Sequence, residues 1–231
     1  MKPAGKATPK AKITVLICAL NEEKNLPYVL PKIPKWVDET ILVDGHSTDR
    51  TVEVAKKLRP ETKVLYQPGK GKQDAKIYGI KQASGDIIVL LDADGSNDPE
   101  EMHKFIEPLL NGYDFAKGSR FLEGYPNIPR HRRFGNKMLV WLTNIIHGTK
   151  YSDVCSGYNA FWKRALEGLK PSGHGSFMDE PMLNINIKKL GLKVIEVPHR
   201  DTGRHSGESK FHSLAMGWWI LKIIIRERFR G

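Results

Sequence analysis

The chain has 231 residues, a length suited to one domain with a sizeable core, and its 27% charged and 40% hydrophobic content argues against wholesale disorder. A surplus of 37 Lys and Arg over 26 Asp and Glu leaves a net charge of +11, which suits nucleic acid, anionic membrane or phosphorylated substrates. The two cysteines, Cys18 and Cys155, form no CxxC pair, so a reducing compartment is the natural reading.

Residues 1–11 are rich in Lys, Ala and Pro and read as a disordered leader. No apolar stretch precedes Ile13, so no signal peptide is expected. Ile13–Ala19 reads as a buried strand, and Asn21 as the cap of a helix carrying Glu22 and Glu23 and ending near Pro31. A second strand spans residues 39–43, followed by a capping cluster, Ser47-Thr48-Asp49, and a helix stopping at Arg59-Pro60. A third strand, Lys63–Tyr66, a helix over 73–83 and the five apolar residues 87–91 continue the alternation. Asp98-Pro99-Glu100-Glu101 starts a helix that closes at Gly112. Strands are further expected over 115–121, 159–163 and 193–197, and helices over 137–147, 182–190 and 211–229. In the last of these, Trp218, Leu221 and Ile225 are expected on one side, with Lys222, Arg226 and Glu227 turned away from them. Strands alternating with helices predict an α/β domain with a mainly parallel central sheet and helices on both faces.

Ligands of open α/β sheets bind beyond the carboxyl ends of the strands. Three such ends carry polar residues: Asn21-Glu22, Asp44, and Asp92-Ala93-Asp94. If the strand continues that far, Asp92 and Asp94 share a side, and such a pair calls for a cation. Mg²⁺ or Mn²⁺ prefers oxygen ligands shared between carboxylate and substrate phosphate. On spacing alone, Asp-x-Asp equally fits a loop leading to a helix cap; its place directly after an apolar strand favours the site. Gly69-Lys70-Gly71 does not complete a GxGxxG because residue 74 is Asp, and no P-loop or HExxH is present. Lys70 and Lys72 fit either solvated loop charges or diphosphate donors, and Lys72 enters the candidate nucleotide set. Cys155 reads as a small buried residue.

The ordered series Ile13 to Leu26 with Asn21-Glu22-Glu23, residues 41–51 (ILVDGHSTDRT) and Asp92-Ala93-Asp94 resembles the family 2 inverting glycosyltransferases of GT-A fold. Gly118-Ser119-Arg120, Asp153 with Ser156-Gly157-Tyr158, Glu196-Val197-Pro198 and Arg204-x-x-Gly207-x-Ser209-Lys210 resemble the polyprenyl-phosphate (dolichol-phosphate) sugar synthase branch. The resemblance covers residues 12–212, taken as a GT-A domain, with residues 213–231 as a terminal amphipathic helix suited to a membrane interface. It implies nucleotide contacts at Ala19, Asn21, Glu22, Asp44, Lys72, Asp92 and Ala93, with Asp44 at the base, and metal at Asp92 and Asp94. It implies phosphate or acceptor contacts at Arg120, Arg133, Arg204, Ser209 and Lys210. The chain departs from the branch at Cys18 and Leu20, where proline and tyrosine are usual, and at Ser96, where mannosyl-transferring members often carry glutamine. UDP-glucose and GDP-mannose donors therefore both stay open.

A hydroxyl acceptor would need a base, for which Glu180 or Asp179 is the candidate, whereas a phosphate acceptor arrives largely deprotonated. Two basic-then-apolar regions suit a lipid phosphate at a membrane surface: residues 130–142, and the terminal helix joining Trp218 and Trp219 to Arg226, Arg228 and Arg230. Each equally fits an amphipathic helix packed on the sheet. The sequence thus points to a cytoplasmic protein, peripheral at the cytoplasmic face of a membrane. A nucleic-acid-binding protein is the rival suggested by charge, but no recognised module accompanies it. A sugar nucleotidyltransferase would need a Gly-rich N-terminal phosphate loop that is lacking.

Overall fold

The computed structural model describes residues 11–123, 130–166, 178–207 and 213–229. Seven strands form one sheet: β1 (Ile13–Ala19), β2 (Glu39–Asp44), β3 (Lys63–Tyr66), β4 (Ile87–Asp92), β5 (Phe115–Ser119), β6 (Asn159–Trp162) and β7 (Val194–Pro198). Among the described residues six α-helices accompany them: α1 (Thr51–Leu58), α2 (Lys72–Gln82), α3 (His103–Leu110), α4 (Arg130–His147), α5 (Glu180–Lys189) and α6 (Ser213–Arg228). The strand order is β3-β2-β1-β4-β6-β5-β7. All pairings are parallel except those of β6 with β4 and β5, so β6 alone runs against the rest. This is the α/β architecture that the alternation of strands and helices predicts.

Because both sheet faces are covered, the central strands are apolar at successive positions rather than alternate ones. Val15, Ile17, Val89 and Leu91 face one core with Phe105 and Tyr158, while Leu16, Ile88 and Leu90 face the other with Phe161 and Leu183. A third cluster joins α4, α5 and α6 through Leu139, Met182, Ile185, Ile220, Ile223 and Ile224.

Register fixes where the chemistry lies. Cys18 pairs with both Val43 and Asp92, and Ala19 pairs with Asp44, so β1, β2 and β4 end together at one edge of the sheet. A cavity of about 590 Å³ lined by Leu30, Ile33, Thr40, Arg59 and Lys63 sits at the opposite end, beside the amino ends of β2 and β3, away from those carboxylates.

Several sequence expectations are corrected. The segment after Asn21 is no helix but two short 3₁₀ turns, Leu26–Tyr28 and Leu30–Lys32. Pro27 and Pro31 each remove a backbone donor and disfavour α geometry in the residue before them. Asn21 itself is left-handed, at φ 57°, and caps nothing. The helix expected from residue 137 begins at Arg130, so its basic run belongs to α4. On α6 the buried face is Ile220, Ile223, Ile224 and Glu227, while Trp218 and Ile225 are exposed. Glu227 is buried because Lys189 of α5 reaches it at 3.2 Å. The leader, residues 1–10, lies outside the described residues, as do Ser209 and Lys210.

Gly118 shows how tightly β5 meets β6. A Cβ there would stand 2.3 Å from the Tyr158 carbonyl oxygen and 2.9 Å from His199 Cδ2. Gly118→Ala is therefore expected to destabilise the fold by about 1–3 kcal/mol, the usual range for overpacking, read as a lower denaturant midpoint at unchanged slope.

Candidate active site

The edge where β1, β2 and β4 end is built by short polar links between successive strand exits. Asp44 is almost wholly buried and accepts from the Ser47 backbone N–H at 2.9 Å and the Ser47 hydroxyl at 2.6 Å. The Asn21 N–H donates to Ser47 Oγ, and the Thr48 N–H donates to Asn21 Oδ1, which tie the exit of β1 to that of β2. Asn21 and His46 are the non-glycine residues with positive φ among those described, and both lie on this edge. Such backbone is uncommon, and it gathers here where the chain must turn sharply to present side chains. Ala19 contributes its carbonyl, which accepts from the Gly45 N–H at 2.8 Å.

The sequence suggests that Asp92 and Asp94 share one side of a continuing strand, but β4 ends at Asp92 and Ala93-Asp94 turn away from the ladder. The two carboxylates consequently have different partners. Asp92 Oδ1 receives Lys72 Nζ at 2.5 Å. Burial works against both charges, yet each partner's field outweighs it, holding the Asp92 carboxyl below and the Lys72 ammonium above their ordinary values. Lys72 is thus a site cation rather than a solvated loop charge. Asp94 Oδ1 accepts from the Ser96 N–H and hydroxyl, at 3.0 and 2.7 Å, while Oδ2 lies 3.8 Å from Arg204 Nη1. Ser96 therefore serves Asp94 directly. Gly157 packs against Asp92: a Cβ there would be 2.6 Å from Oδ2, so the Ser156-Gly157-Tyr158 turn needs glycine for close approach.

Arg204 spans the mouth. Its Nη2 donates to Glu22 Oε2 at 2.6 Å and its Nε donates to the Ser206 carbonyl at 2.7 Å. Glu22 also accepts from Asn25 Nδ2, and the His205 ring lies over Tyr28 with centroids 3.3 Å apart. The late Arg204 loop is thereby fastened to the segment after β1, which brings Glu22, Asp94 and Arg204 together.

Behind Asp92, the buried Lys76 reaches Glu180 Oε1 at 2.6 Å, one helical turn after Lys72. Burial raises the Glu180 pKa, but Lys76 and Lys72 outweigh it and hold the group low. That makes Glu180 an ionised structural partner and a poor proton acceptor. Its neighbour Asp179 differs: burial and the Glu180 charge push its carboxyl up to about 7, while Gln73 Nε2 donates to its Oδ1. Of the two base candidates, the environment favours Asp179 over Glu180.

Arg120 forms a bidentate pair with Asp153, Nε to Oδ2 at 2.7 Å and Nη2 to Oδ1 at 3.0 Å. Asn136 of α4 donates to the same carboxylate at 3.1 Å, and Arg133 lies one turn earlier on α4, half-buried. The cation pair holds the buried Asp153 carboxyl well below its usual range. Glu196 accepts from the Ser152 N–H at 2.9 Å and from Lys117 Nζ at 3.3 Å, steadying the loop that carries Asp153. The candidates missed in sequence are Lys76 and Gln73; the i, i+4 spacing of Lys72 and Lys76 at the start of a helix was their available signal. Both cysteines are half-buried rather than buried, and desolvation pushes the Cys18 thiol up to about 11 and the Cys155 thiol to about 12, which disfavours the reactive thiolate.

A sheet whose carboxyl edge gathers Asp44, Asp92 and Asp94 under an arginine-bearing loop is the framework of the GT-A glycosyltransferases, and comparison places the chain there: residues 14–169 match the profile of glycosyl transferase family 2, to which this protein belongs. It is similar to a dolichol-phosphate mannosyltransferase of Pyrococcus furiosus, 36% identical over 214 residues that cover 86% of this chain and 59% of that relative. It is also similar to a dolichyl-phosphate hexose transferase of Haloferax volcanii, 26% identical over 94% of this chain and 96% of that one. A UDP-N-acetylglucosamine–dolichyl-phosphate N-acetylglucosaminyltransferase of Methanococcus voltae is 32% identical over 80% and 84% of the two chains. Glucosyl-3-phosphoglycerate synthase of Mycobacterium tuberculosis, solved with Mn²⁺, UDP-glucose and phosphoglyceric acid, shares the fold at a TM-score of 0.75 and 22% identity, covering 95% of this chain and 80% of that one.

The raised Asp179 carboxyl has a stability consequence. The folded state holds its proton up to about 7 while the unfolded chain releases it near an ordinary aspartate value of about 4, so this group's contribution is present at low pH and is lost across that window. Asp179→Asn should flatten that part of the fall, seen as a stability difference from wild type that grows in the variant's favour between pH 4 and pH 7 by chemical denaturation.

Proposed function

We propose that this family 2 glycosyltransferase moves a hexose, glucose or mannose, from a UDP- or GDP-sugar to a polyprenyl (dolichyl) phosphate with inversion, at the cytoplasmic face of a membrane. The observation that carries the reading is the carboxylate edge itself: Asp92 and Asp94 each stand beside a cation, Lys72 at 2.5 Å and Arg204 at 3.8 Å, where a diphosphate would sit. The dolichyl-phosphate substrates in the names of the Pyrococcus, Haloferax and Methanococcus relatives support the acceptor class.

In this reading Asp44 and the left-handed turn of His46 receive the nucleoside, with Asn21, Glu22 and the Ala19 and Ala93 backbone bounding it. Asp92 and Asp94 supply the hard oxygen donors that Mg²⁺ or Mn²⁺ prefers. Among the described residues no group of three or more His, Cys, Asp or Glu is placed to hold an ion by itself, so Asp92 and Asp94 would share one with substrate phosphate oxygens. When bound, such an ion offsets the charge that develops on the departing diphosphate. Lys72 and Arg204 add fixed positive charge to the same oxygens. Arg120 and Arg133 would serve the acceptor phosphate, as would Ser209 and Lys210 by their place in the sequence after Arg204. A phosphate with a second pKa near ~6 needs positioning rather than a base, and inversion then requires only that it approach opposite the diphosphate.

A second reading has a specific observation behind it. Asp179, with its carboxyl near pH 7, suits a base for a hydroxyl acceptor.

Purified protein given Mn²⁺ or Mg²⁺, a panel of nucleotide sugars and a short-chain polyprenyl phosphate is expected to release nucleoside diphosphate only when the lipid phosphate is present. Asp94→Asn should lower that release by at least about a hundredfold without changing the circular dichroism spectrum. Release that ignores the lipid phosphate but responds to a hydroxyl acceptor, and vanishes in Asp179→Asn, transfers the assignment to the second reading.

A further inference from the structure

His199 stands where the supports of Asp92 and Asp94 meet, yet neither of its ring nitrogens bonds a carboxylate. It directly follows β7, its backbone N–H donates to the Ser119 carbonyl at 3.2 Å, and the residue is only 1% exposed. Its Nδ1 lies 3.2 Å from the Arg200 carbonyl oxygen and its Nε2 lies 2.9 Å from Ser156 Oγ. A carbonyl only accepts, so Nδ1 carries the proton. In a neutral ring Nε2 is then bare and accepts from the Ser156 hydroxyl. The walls keep the ring neutral. Tyr158 meets it edge-on with centroids 5.4 Å apart, Phe105 lies 6.2 Å away, and burial holds the imidazole below its ordinary pKa.

Each nitrogen is tied to a different part of the acidic edge. The buried Ser156 opens the Ser156-Gly157-Tyr158 turn, and Gly157 lies so close to Asp92 that a Cβ would fall 2.6 Å from Oδ2. Two further bonds brace that turn: Asn159 Nδ2 donates to the Ser156 carbonyl at 3.0 Å, and the Tyr158 hydroxyl donates to the Asp98 carbonyl at 3.3 Å. Lys72 fixes the other oxygen of Asp92, so the position of the Gly157 backbone sets the room left at Oδ2. On the far side of the ring, Arg200 begins the segment that fastens to the exit of β4. Asn97 and Asp201 form an antiparallel bridge, the Thr202 N–H donates to the Ser96 carbonyl at 3.1 Å, and the His205 N–H donates to the Asp94 carbonyl at 3.0 Å.

We infer that His199 is a positioning residue for the donor site. Through Ser156 its Nε2 holds the Gly157 backbone against Asp92, and through Arg200 its Nδ1–H anchors the segment that carries Arg204, so both carboxylates meet an ion and its diphosphate in one fixed geometry. The role rests on the proposed function, since it takes a divalent ion and a nucleoside diphosphate as the ligands of this edge. Both ring nitrogens are occupied by protein partners, so His199 acts through Ser156 and Arg200 and touches no substrate. Partners one bond removed from a ligating group commonly set about 10–100-fold in metal affinity or activity.

The test is calorimetric titration of Mn²⁺ together with UDP or GDP into the full chain carrying His199→Leu, His199→Gln, Ser156→Ala, or His199→Leu with Ser156→Ala. Leucine keeps a similar volume without an acceptor, whereas the amide oxygen of glutamine offers one near the place of Nε2. His199→Leu and Ser156→Ala are each expected to weaken uptake about tenfold, and the double variant hardly more, because all three lose the same hydrogen bond. His199→Gln should recover most of the loss. Leu109→Ala, a cavity in the core under α3 that costs stability away from this edge, should leave uptake unchanged. Should His199→Leu fail to fold, Ser156→Ala, which deletes one hydroxyl, carries the comparison. A loss that Leu109→Ala matches, or that His199→Gln does not recover, overturns the role. The two readings fail differently. Wild type that takes up no Mn²⁺ with either nucleotide sinks the donor assignment and the positioning role with it, whereas wild-type uptake that no His199 or Ser156 variant alters overturns the role alone.

Discussion

Negative charge gathered at one edge of a parallel sheet is the constraint around which the rest of the protein is arranged. Glu22, the Asp92-Ala93-Asp94 turn and Glu180 lie on three different segments; the first two meet because β1 and β4 end in register, and Glu180 is brought to them by Lys76 of α2. Left without partners, buried carboxylates would protonate or unfold the edge, since burial alone disfavours their ionised form. Three cations answer them: Lys72 holds Asp92, Lys76 holds Glu180, and Arg204 bridges Glu22 and Asp94. These pairs are only partly buried, so each contributes less than the roughly 3–5 kcal/mol of a fully buried pair, and together they bind the helix α2 and the Arg204 loop to the acidic edge.

Each supporting feature can be traced to that edge. Helix α2 begins at Lys72, directly after the positive-φ Gly71, which lets two lysines one turn apart point toward different acids. Gly157 leaves room for Asp92, and Ser96 occupies one oxygen of Asp94, limiting where a substrate phosphate or ion can approach. The Arg120–Asp153–Asn136 cluster joins this edge to α4, which links the chemistry in the sheet to the exposed apolar and basic faces of the helices.

The sheet was legible because strongly apolar runs such as residues 87–91 leave little choice of structure, and strand ends after them locate Asp44 and Asp92. Cap and proline signals placed α1 and α3 within a few residues, and α2 was expected one residue from where it lies. The segment after Asn21 was misread because a good cap residue and two glutamates outweighed Pro27 and Pro31, whereas in the folded chain the prolines prevail. The grouping expected on α6, with Glu227 beside Lys222 and Arg226, does not hold for another reason: Glu227 is buried with Ile220, Ile223 and Ile224. The apolar residues of this helix run nearly all round, so periodicity cannot choose a side, and the partner that buries Glu227 is Lys189, 38 residues away. The same distance problem hid the pairing of Lys76 with Glu180 and of Arg204 with Glu22, which no local pattern can reveal. Glu180 and Asp179 are neighbours in sequence, but their opposite proton affinities follow from whether a lysine or a glutamine faces them.

With Lys72 and Arg204 already offsetting the acidic edge before substrate arrives, the proposed metal and nucleotide would enter together. Calorimetric titration of Mn²⁺ into the protein, alone and with UDP or GDP, tests this directly. Weak uptake of Mn²⁺ alone is expected, with at least tenfold tighter uptake in the presence of the preferred nucleoside diphosphate and tighter uptake of Mn²⁺ alone in Lys72→Met. Tight binding of Mn²⁺ by itself, unchanged by either nucleotide and by Lys72→Met, would contradict it.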